Sequence, residues 1–370
     1  MKVPFLNLYA QYLEIKDEIH AAFDDILQRT AFISGKYNER FEKEFREAIG
    51  APYCLATSCG TSALHMALWA LGLGPGDEVI VPVNTFIATS EVVSLTGAKP
   101  VFVDHDPETY NIDATKIEAA ITPRTKAIIP VHLYGQPADM DAIGEIARRC
   151  NLVVIEDACQ AHLARFNGTM VGNFGRVAAF SFFPGKNLGA YGDAGAVVTN
   201  DESLHETIRR LRVHGGIERY IHDIEGHCYR MSEFQAAVLC LKLPHLRRWT
   251  ARRQRVADMY RGFLDGVEQV TLPSVLEGSE HVYHLFVIRV PADKRDELRS
   301  YLNEQGIGAG LHYPIPLHLQ KAYARFGHRL GDFPVAEQSC REILSLPMCP
   351  MLQDSQVEYV CEKIRAFFSR

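Results

Sequence analysis

The sequence predicts an α/β fold, a mostly parallel sheet wrapped by helices, followed by a smaller α/β C-terminal domain. Three observations predict it. Short β-type runs alternate with helical patterns from about residue 58 to residue 199, as in a parallel sheet with helical crossovers. The run Asn151-Leu152-Val153-Val154-Ile155-Glu156-Asp157 is almost continuously apolar and ends in acids, as a strand buried on both faces does. From Ser232 the pattern turns helical for a long stretch, and after Val270 it changes to short strands and helices. The implied division is 1–240, an N-terminal arm plus a large domain, and 241–370, a long helix plus a small domain.

Taken in order, residues 1–13 read as an extended arm. Residues 12–28 have helical periodicity, and 38–49 read as a second helix. Ser58-Cys59-Gly60-Thr61-Ser62-Ala63 opens an apolar helix running to about Leu71, and Gly74-Pro75-Gly76-Asp77 is a turn. Strands are predicted over 78–82, 99–104, 126–131 and 151–157, and helices over 85–95, 113–120 and 140–150. Residues 177–182 and 194–199 form a further strand pair. The long helical stretch covers 232–264. A strand over 283–290 and helices over 293–304, 334–344 and 354–367 complete the chain.

With 370 residues, 47% hydrophobic and 23% charged, the chain has an ordinary globular composition and ample material for a large core. A net charge of −6 gives no electrostatic support for nucleic-acid binding. The cluster Arg247-Arg248-Trp249-Thr250-Ala251-Arg252-Arg253 lies on a helical pattern and reads as a solvated or interfacial face. The nine cysteines show no Cys-x-x-Cys spacing, which indicates neither a metal site nor a disulfide framework. Cys54, Cys150, Cys159 and Cys240 sit in apolar surroundings and read as small core residues. No run reaches membrane-spanning length, and residues 1–7 lack a cleavage signature. The expectation is a cytoplasmic protein without membrane or nucleic-acid partners.

Four features point to a site. Lys186 sits in Ser181-Phe182-Phe183-Pro184-Gly185-Lys186-Asn187-Leu188-Gly189, after a β-rich run and among glycines that allow close approach to a ligand. A surface lysine does not need that setting, whereas a neutral amine meeting an aldehyde does. Asp157 ends an apolar strand, and a buried carboxylate needs a partner. Pyridoxal phosphate (PLP) enzymes pair such a lysine with an acid at the pyridine nitrogen, which makes the ring an electron sink. Gly60, Thr61 and Ser62 begin a helix whose free N–H groups and positive end suit a phosphate. Phe86, just after a strand, has a face to stack on a ring. Singly, each has a plain structural explanation: a solvated loop lysine, an N-cap, a carboxylate on a neighbouring helix, a core aromatic. Their order and β-contexts together are specific.

At these residues the chain resembles the DegT/DnrJ/EryC1/StrS aminotransferases, which act on nucleotide-linked sugars. The resemblance runs through Gly74-Pro75-Gly76-Asp77-Glu78-Val79-Ile80-Val81-Pro82, Glu156-Asp157-Ala158-Cys159-Gln160-Ala161-His162 and the Lys186 segment. It continues in Val213-His214-Gly215-Gly216, in residues 229–237, in His312-Tyr313-Pro314-Ile315-Pro316 and in Leu346-Pro347-Met348. It implies a fold-type-I PLP enzyme acting as a homodimer with shared active sites, pyridoxamine phosphate being the intermediate cofactor form. It further implies that Lys186 forms the Schiff base and Asp157 pairs with the ring nitrogen. Gln160 then lies by the ring hydroxyl, Phe86 stacks on the ring, and Thr61, Ser62 and Ser181 hold the phosphate. The resemblance extends to substrate contacts: His312 and Tyr313 near the sugar, Phe32, Ile33 and Ser34 approaching the site, and His214, Arg219 and Tyr220 reaching the nucleotide or the partner subunit. The implied reaction moves an amino group from L-glutamate, leaving 2-oxoglutarate, to a nucleotide-linked keto sugar. The His312 motif looks more like the 3-aminotransferases than the 4-aminotransferases. One departure stands out: the family's Asn before its long helix, which in relatives reaches the partner's PLP phosphate, is Cys228 here. Two alternatives are a sugar dehydratase of the same fold, whose members carry histidine at the lysine position, and a non-enzymatic regulatory protein.

Overall fold

In the computed structural model of the chain, which describes residues 1–369, the first residues pair with the C-terminal part of the molecule. Val3 bridges Ile307 and is fully buried among C-terminal side chains. The arm is extended only at its start: the Asn7 side chain accepts the Ala10 N–H and caps α1 (Leu8–Leu13). At Ile15 the backbone leaves helical geometry, so the single helix expected over 12–28 becomes α1 and α2 (Lys16–Arg29). α3 (Lys36–Ile49) begins where the Glu233 carboxylate accepts the N–H groups of Gly35, Tyr37 and Asn38. A carboxylate there satisfies donors that have no partner within the helix.

β1 (Tyr53–Thr57) was not expected: Ala56 is a weak strand former, and the run is short. α4 (Gly60–Ala70), β2 (Glu78–Pro82), α5 (Ala88–Leu95), β3 (Lys99–Val103), α6 (Ala114–Ile117), β4 (Thr125–Ile128), α7 (Met140–Arg149) and β5 (Val153–Asp157) follow the expected alternation. The short strands β6 (Arg165–Phe166) and β7 (Thr169–Met170) precede the pair β8 (Val177–Ser181) and β9 (Gly195–Thr199). The central sheet has seven strands in the order β1-β9-β8-β5-β4-β2-β3. β9 is antiparallel to both β1 and β8, and the remaining pairings are parallel, so every strand but β9 points the same way. Both faces are apolar with a two-residue period. Ile155, Ala179 and Val197 pack under α4 and α5, while Ala178, Phe180, Ala196 and Val198 pack under α3. This is the burial expected of a sheet covered on both sides.

α8 (Glu202–Leu211) is capped by Asp201, whose side chain accepts the N–H groups of Ser203 and Leu204. A hairpin, β10 (Gly216–Glu218) and β11 (Ile221–His222), follows. The long helical stretch divides at Pro244 into α9 (Glu233–Lys242), a 3-10 turn and α10 (Leu246–Leu264), because proline has no N–H to donate. β12 (Ser279–Glu280) joins β6 and β7 in a small sheet. β13 (Phe286–Arg289), α11 (Arg295–Glu304), α12 (Pro334–Glu342), β14 (Ile343–Leu346) and α13 (Asp354–Phe368) close the chain. Ile343 and Leu344, expected at a helix end, are strand: both are fully buried and pair with Arg289 and Ile288. The basic cluster on α10 is not wholly solvated either. Arg253 is buried and donates to the carbonyls of Tyr283, His284 and Met348. Among the described residues all nine cysteines are free, and no helix is long and apolar enough to cross a membrane.

Candidate active site

A cavity of about 680 Å³ opens at the carboxyl ends of the parallel strands, where ligands gather on such sheets. Asp157 ends β5, Ser181 ends β8, and Lys186 lies on the loop after β8. Gly60 and Thr61 open α4 after β1, and Phe86 follows β2. All six line the cavity, together with Gln160, His312 and Tyr313.

The lysine loop is a tight turn: Lys186 N–H donates to Phe183 O at 2.8 Å and Ala190 N–H to Phe182 O at 2.7 Å. α9 grips its far end. Gln235 accepts the Tyr191 N–H at 2.8 Å, and the buried Lys242 Nζ donates to Gly189 O at 2.7 Å. A β-carbon on Gly189 would collide with the Pro184 carbonyl, so this close turn requires glycine. Burial pushes the Lys186 amine below the ordinary lysine range, against the opposing pull of Cys159 and Asp157. A neutral, nucleophilic amine is thereby easier to reach.

Asp157 is 5% exposed. Thr89 Oγ1 donates to its Oδ2 at 2.7 Å and the Cys159 N–H to its Oδ1 at 3.2 Å, so the carboxylate is held by two donors. The start of α4 fits tightly against the loops around it. A β-carbon on Gly60 would lie 2.7 Å from Ser181 Cβ and 2.8 Å from Cys159 Sγ. Gly60 and Thr61 are the first helical residues, whose N–H groups have no partner within the helix. Ser62 behaves differently from its neighbours. It is buried, accepts the Cys59 N–H at 3.1 Å and donates to Cys59 O at 2.8 Å, which closes the capping turn rather than facing the cavity.

Across the cavity, the Phe86 ring is half exposed and lies 5.9 Å from the Tyr313 ring. Gln160 accepts the Tyr134 N–H at 2.7 Å and donates to Tyr313 Oη at 3.3 Å. Burial, then Asp157, raises the Tyr313 phenol. His312 shares a hydrogen bond with Ser345 at 2.8 Å and stacks on Phe5. Burial, then Lys186, lowers its imidazole to about 4. These residues fit PLP. A buried amine and a buried carboxylate share one cavity, an exposed aromatic face borders it, and a helix start lies where the Gly60 cradle leaves no room for a side chain.

The match to known proteins decides the family. The family model for the DegT/DnrJ/EryC1/StrS aminotransferase family matches residues 13–365. The chain belongs to that family. It is 48% identical over 370 residues to a "Pleiotropic regulatory protein" of Geobacillus stearothermophilus, covering 100% of this chain and 99% of the other. It is 45% identical over 369 residues to a "dTDP-3-amino-3,4,6-trideoxy-alpha-D-glucose transaminase" of Streptomyces venezuelae, covering 100% of this chain and 97% of the other. Its structure superposes on S. venezuelae DesV, crystallised "in complex with ketimine intermediate", with a TM-score of 0.97 and 45% identity, covering 100% of this chain and 99% of that one.

In this family member, six of the expected substrate contacts, Phe32, Ile33, Ser34, His214, Arg219 and Tyr220, lie outside this cavity. Phe32 stacks on Phe234, and Ile33 bridges Ser232. His214 precedes the β10–β11 hairpin, whose turn carries Arg219 and Tyr220 with the guanidinium 5.1 Å from the ring centroid. Cys228 is exposed and bridges Val213, with Arg230 Nη2 3.1 Å from its sulfur. Its neighbour His227 packs instead on Trp69 and Tyr229.

Other cavity residues carried no signal in the sequence reading. Cys159 lines the cavity although its surroundings read as core. Phe5 and Leu6 come from the arm, while His284 and Leu285 come from just before β13. Their nearness to Lys186 exists only after the chain ends have folded back. A patterned search for polar residues inside apolar strand runs would have found His284.

Proposed function

We propose that the chain is a PLP-dependent aminotransferase that moves the amino group of L-glutamate to C3 of a nucleotide-linked 3-keto deoxysugar, releasing 2-oxoglutarate. It serves amino-sugar biosynthesis in the cytoplasm and works as a homodimer. The observation that carries this reading is the convergence of Lys186, Asp157 and the start of α4 on one cavity in a member of this aminotransferase family. Support for C3 comes from the S. venezuelae relative, whose name places the amino group there, and from His312-Tyr313-Pro314-Ile315-Pro316. In this reading residues 1–240 form the cofactor domain with its arm, and 241–370 the smaller domain.

When bound, PLP supplies an electron sink and a carrier for the amino group. The protein supplies the rest. Lys186 Nζ would hold the cofactor through its aldehyde and, as a free amine, would take and return the proton at the substrate carbon. Asp157, fixed by Thr89 and the Cys159 N–H, keeps a proton on the ring nitrogen. The N–H groups of Gly60 and Thr61 bind phosphate with the positive end of α4, and Ser181 adds its hydroxyl. Ser62 acts by shaping that turn. Phe86 covers a ring face, and Gln160 stands by the ring hydroxyl. His312 and Tyr313 face the sugar. Phe32, Ile33, His214, Arg219 and Tyr220 serve the partner subunit's site, which agrees with the exposure of Phe32, Ile33 and Tyr220.

A panel of nucleotide-linked keto sugars, each offered with L-glutamate, tests the reading. Transfer to at least one 3-keto sugar is expected. A PLP-loaded protein that aminates none of the panel would sink it.

A further inference from the structure

His284 combines a fixed position, a place on the cavity wall and an unused hydrogen-bonding edge. Its backbone is held on three sides. Arg253 Nη1 donates to the Tyr283 and His284 carbonyls at 3.1 and 3.3 Å. Val282 N–H donates to Gly135 O at 2.9 Å, and Leu285 N–H to Tyr134 O at 3.2 Å. The turn at Gly135 presses so closely that a β-carbon there would lie 2.8 Å from His284 N. The imidazole that this clamp presents lines the cavity along with Lys186, His312 and Tyr313.

The polar groups around it are already engaged within the protein. Asp157 has Thr89 and the Cys159 N–H, Gln160 has Tyr134 and Tyr313, and His312 has Ser345. Of two buried histidines nearby, His162 uses its Nε2 on the Ser181 carbonyl, its Nδ1 being enclosed without a partner, and His281 Nδ1 accepts the Tyr283 N–H. His284 Nδ1 is buried without a hydrogen-bond partner. That leaves Nε2 as the edge of the ring open to the cavity. Nε2 is therefore a polar edge on the cavity wall that no protein group engages, free to pair with a bound ligand.

Resting on the function proposed above, we propose that His284 is a further substrate-facing residue, whose Nε2 hydrogen-bonds a hydroxyl or oxo group of the keto sugar. The choice of sugar over amino donor follows from charge. Burial, then Lys186 and Arg253, push the imidazole well below the ordinary histidine range, so the ring is neutral. A neutral imidazole offers one N–H and one lone pair. A hydroxyl both donates and accepts, and so pairs with either tautomer. A glutamate carboxylate buried against an uncharged ring would lack a compensating charge.

The two half-reactions of purified, PLP-loaded enzyme separate the possibilities. L-glutamate alone reads the donor half through 2-oxoglutarate release. The aminated enzyme with a nucleotide-linked 3-keto sugar then reads the acceptor half. His284→Phe, which keeps ring volume without a hydrogen bond, should lower kcat/KM for the sugar half about tenfold more than for the glutamate half. His284→Gln, whose amide reaches the Nε2 position, should restore most of that loss, whereas His284→Asn, which reaches only the Nδ1 position, should not. Equal losses in both halves, an unaffected sugar half, or Gln behaving no better than Asn would overturn the assignment. Should His284→Phe fail to bind PLP, the contrast between Gln and Asn decides alone. Inactivity of the wild type in both halves would count instead against the proposed function.

Discussion

Thr89 Oγ1 donates a 2.7 Å hydrogen bond to Asp157 Oδ2, and both groups are buried. Thr85 lies 3.1 Å behind Thr89, so two hydroxyls from the β2–α5 segment back the acid at the end of β5. A hydrogen bond to a charged group is worth about 1.5–3 kcal/mol. Thr89→Val is therefore predicted to slow turnover about ten- to a hundredfold while PLP remains bound. Rates within twofold of wild type would show that Asp157 needs no such support.

Lys186→Ala is predicted to abolish turnover and to leave no borohydride-reducible link to PLP. The wild-type apoenzyme supplies a pH test as well. Its amine is protonated below its pKa and nucleophilic above it, and burial lowers that pKa. The rate of PLP uptake should rise with pH, with a midpoint below the ordinary lysine range. A midpoint at or above that range would contradict the assignment of a desolvated amine.

Gly60→Ala adds a methyl group where Ser181 Cβ and Cys159 Sγ leave no space. Overpacking of this kind costs about 1–3 kcal/mol. The expected result is a loss of folding stability of that size together with weaker PLP binding in a titration of the apoenzyme. Unchanged affinity would mean that the start of α4 is not the phosphate seat.

Glu156, next to Asp157 but facing the other side of β5, accepts N–H groups from Gly172, Phe174 and Gly175 at 2.7–2.8 Å. His132 adds a contact at 3.1 Å. Glu156→Leu strands these buried donors and should lower stability by at least about 3 kcal/mol in denaturant unfolding. A midpoint unchanged from wild type would show that these donors find other partners.

Most of the central sheet was legible because the strands after β1 are short, largely apolar runs between turn residues, and 78–82 match β2 residue for residue. That Lys186, Asp157 and Phe86 border one cavity was legible for a related reason: each lies at or just after the carboxyl end of a strand. What stayed hidden depends on distance along the chain. Phe5 meets His312 only because Val3 pairs with Ile307. His284 faces Lys186 only because Arg253, one of a run of basic residues, turns inward to hold its carbonyl. Ser62 carried the right residue type for phosphate binding, yet its hydroxyl is consumed by its own helix cap. The division at Pro244 and the strand at Ile343 were obscured because apolar helix and strand patterns look alike over a few residues.

The most direct test of the central claim is the position of the transferred nitrogen. Purified enzyme is incubated with isotopically labelled L-glutamate and a nucleotide-linked 3-keto deoxysugar, and the product is read by NMR. The account predicts labelled nitrogen bonded to C3, with 2-oxoglutarate formed in equal amount. A product carrying the label on C4, or 2-oxoglutarate release without labelled sugar, would contradict it.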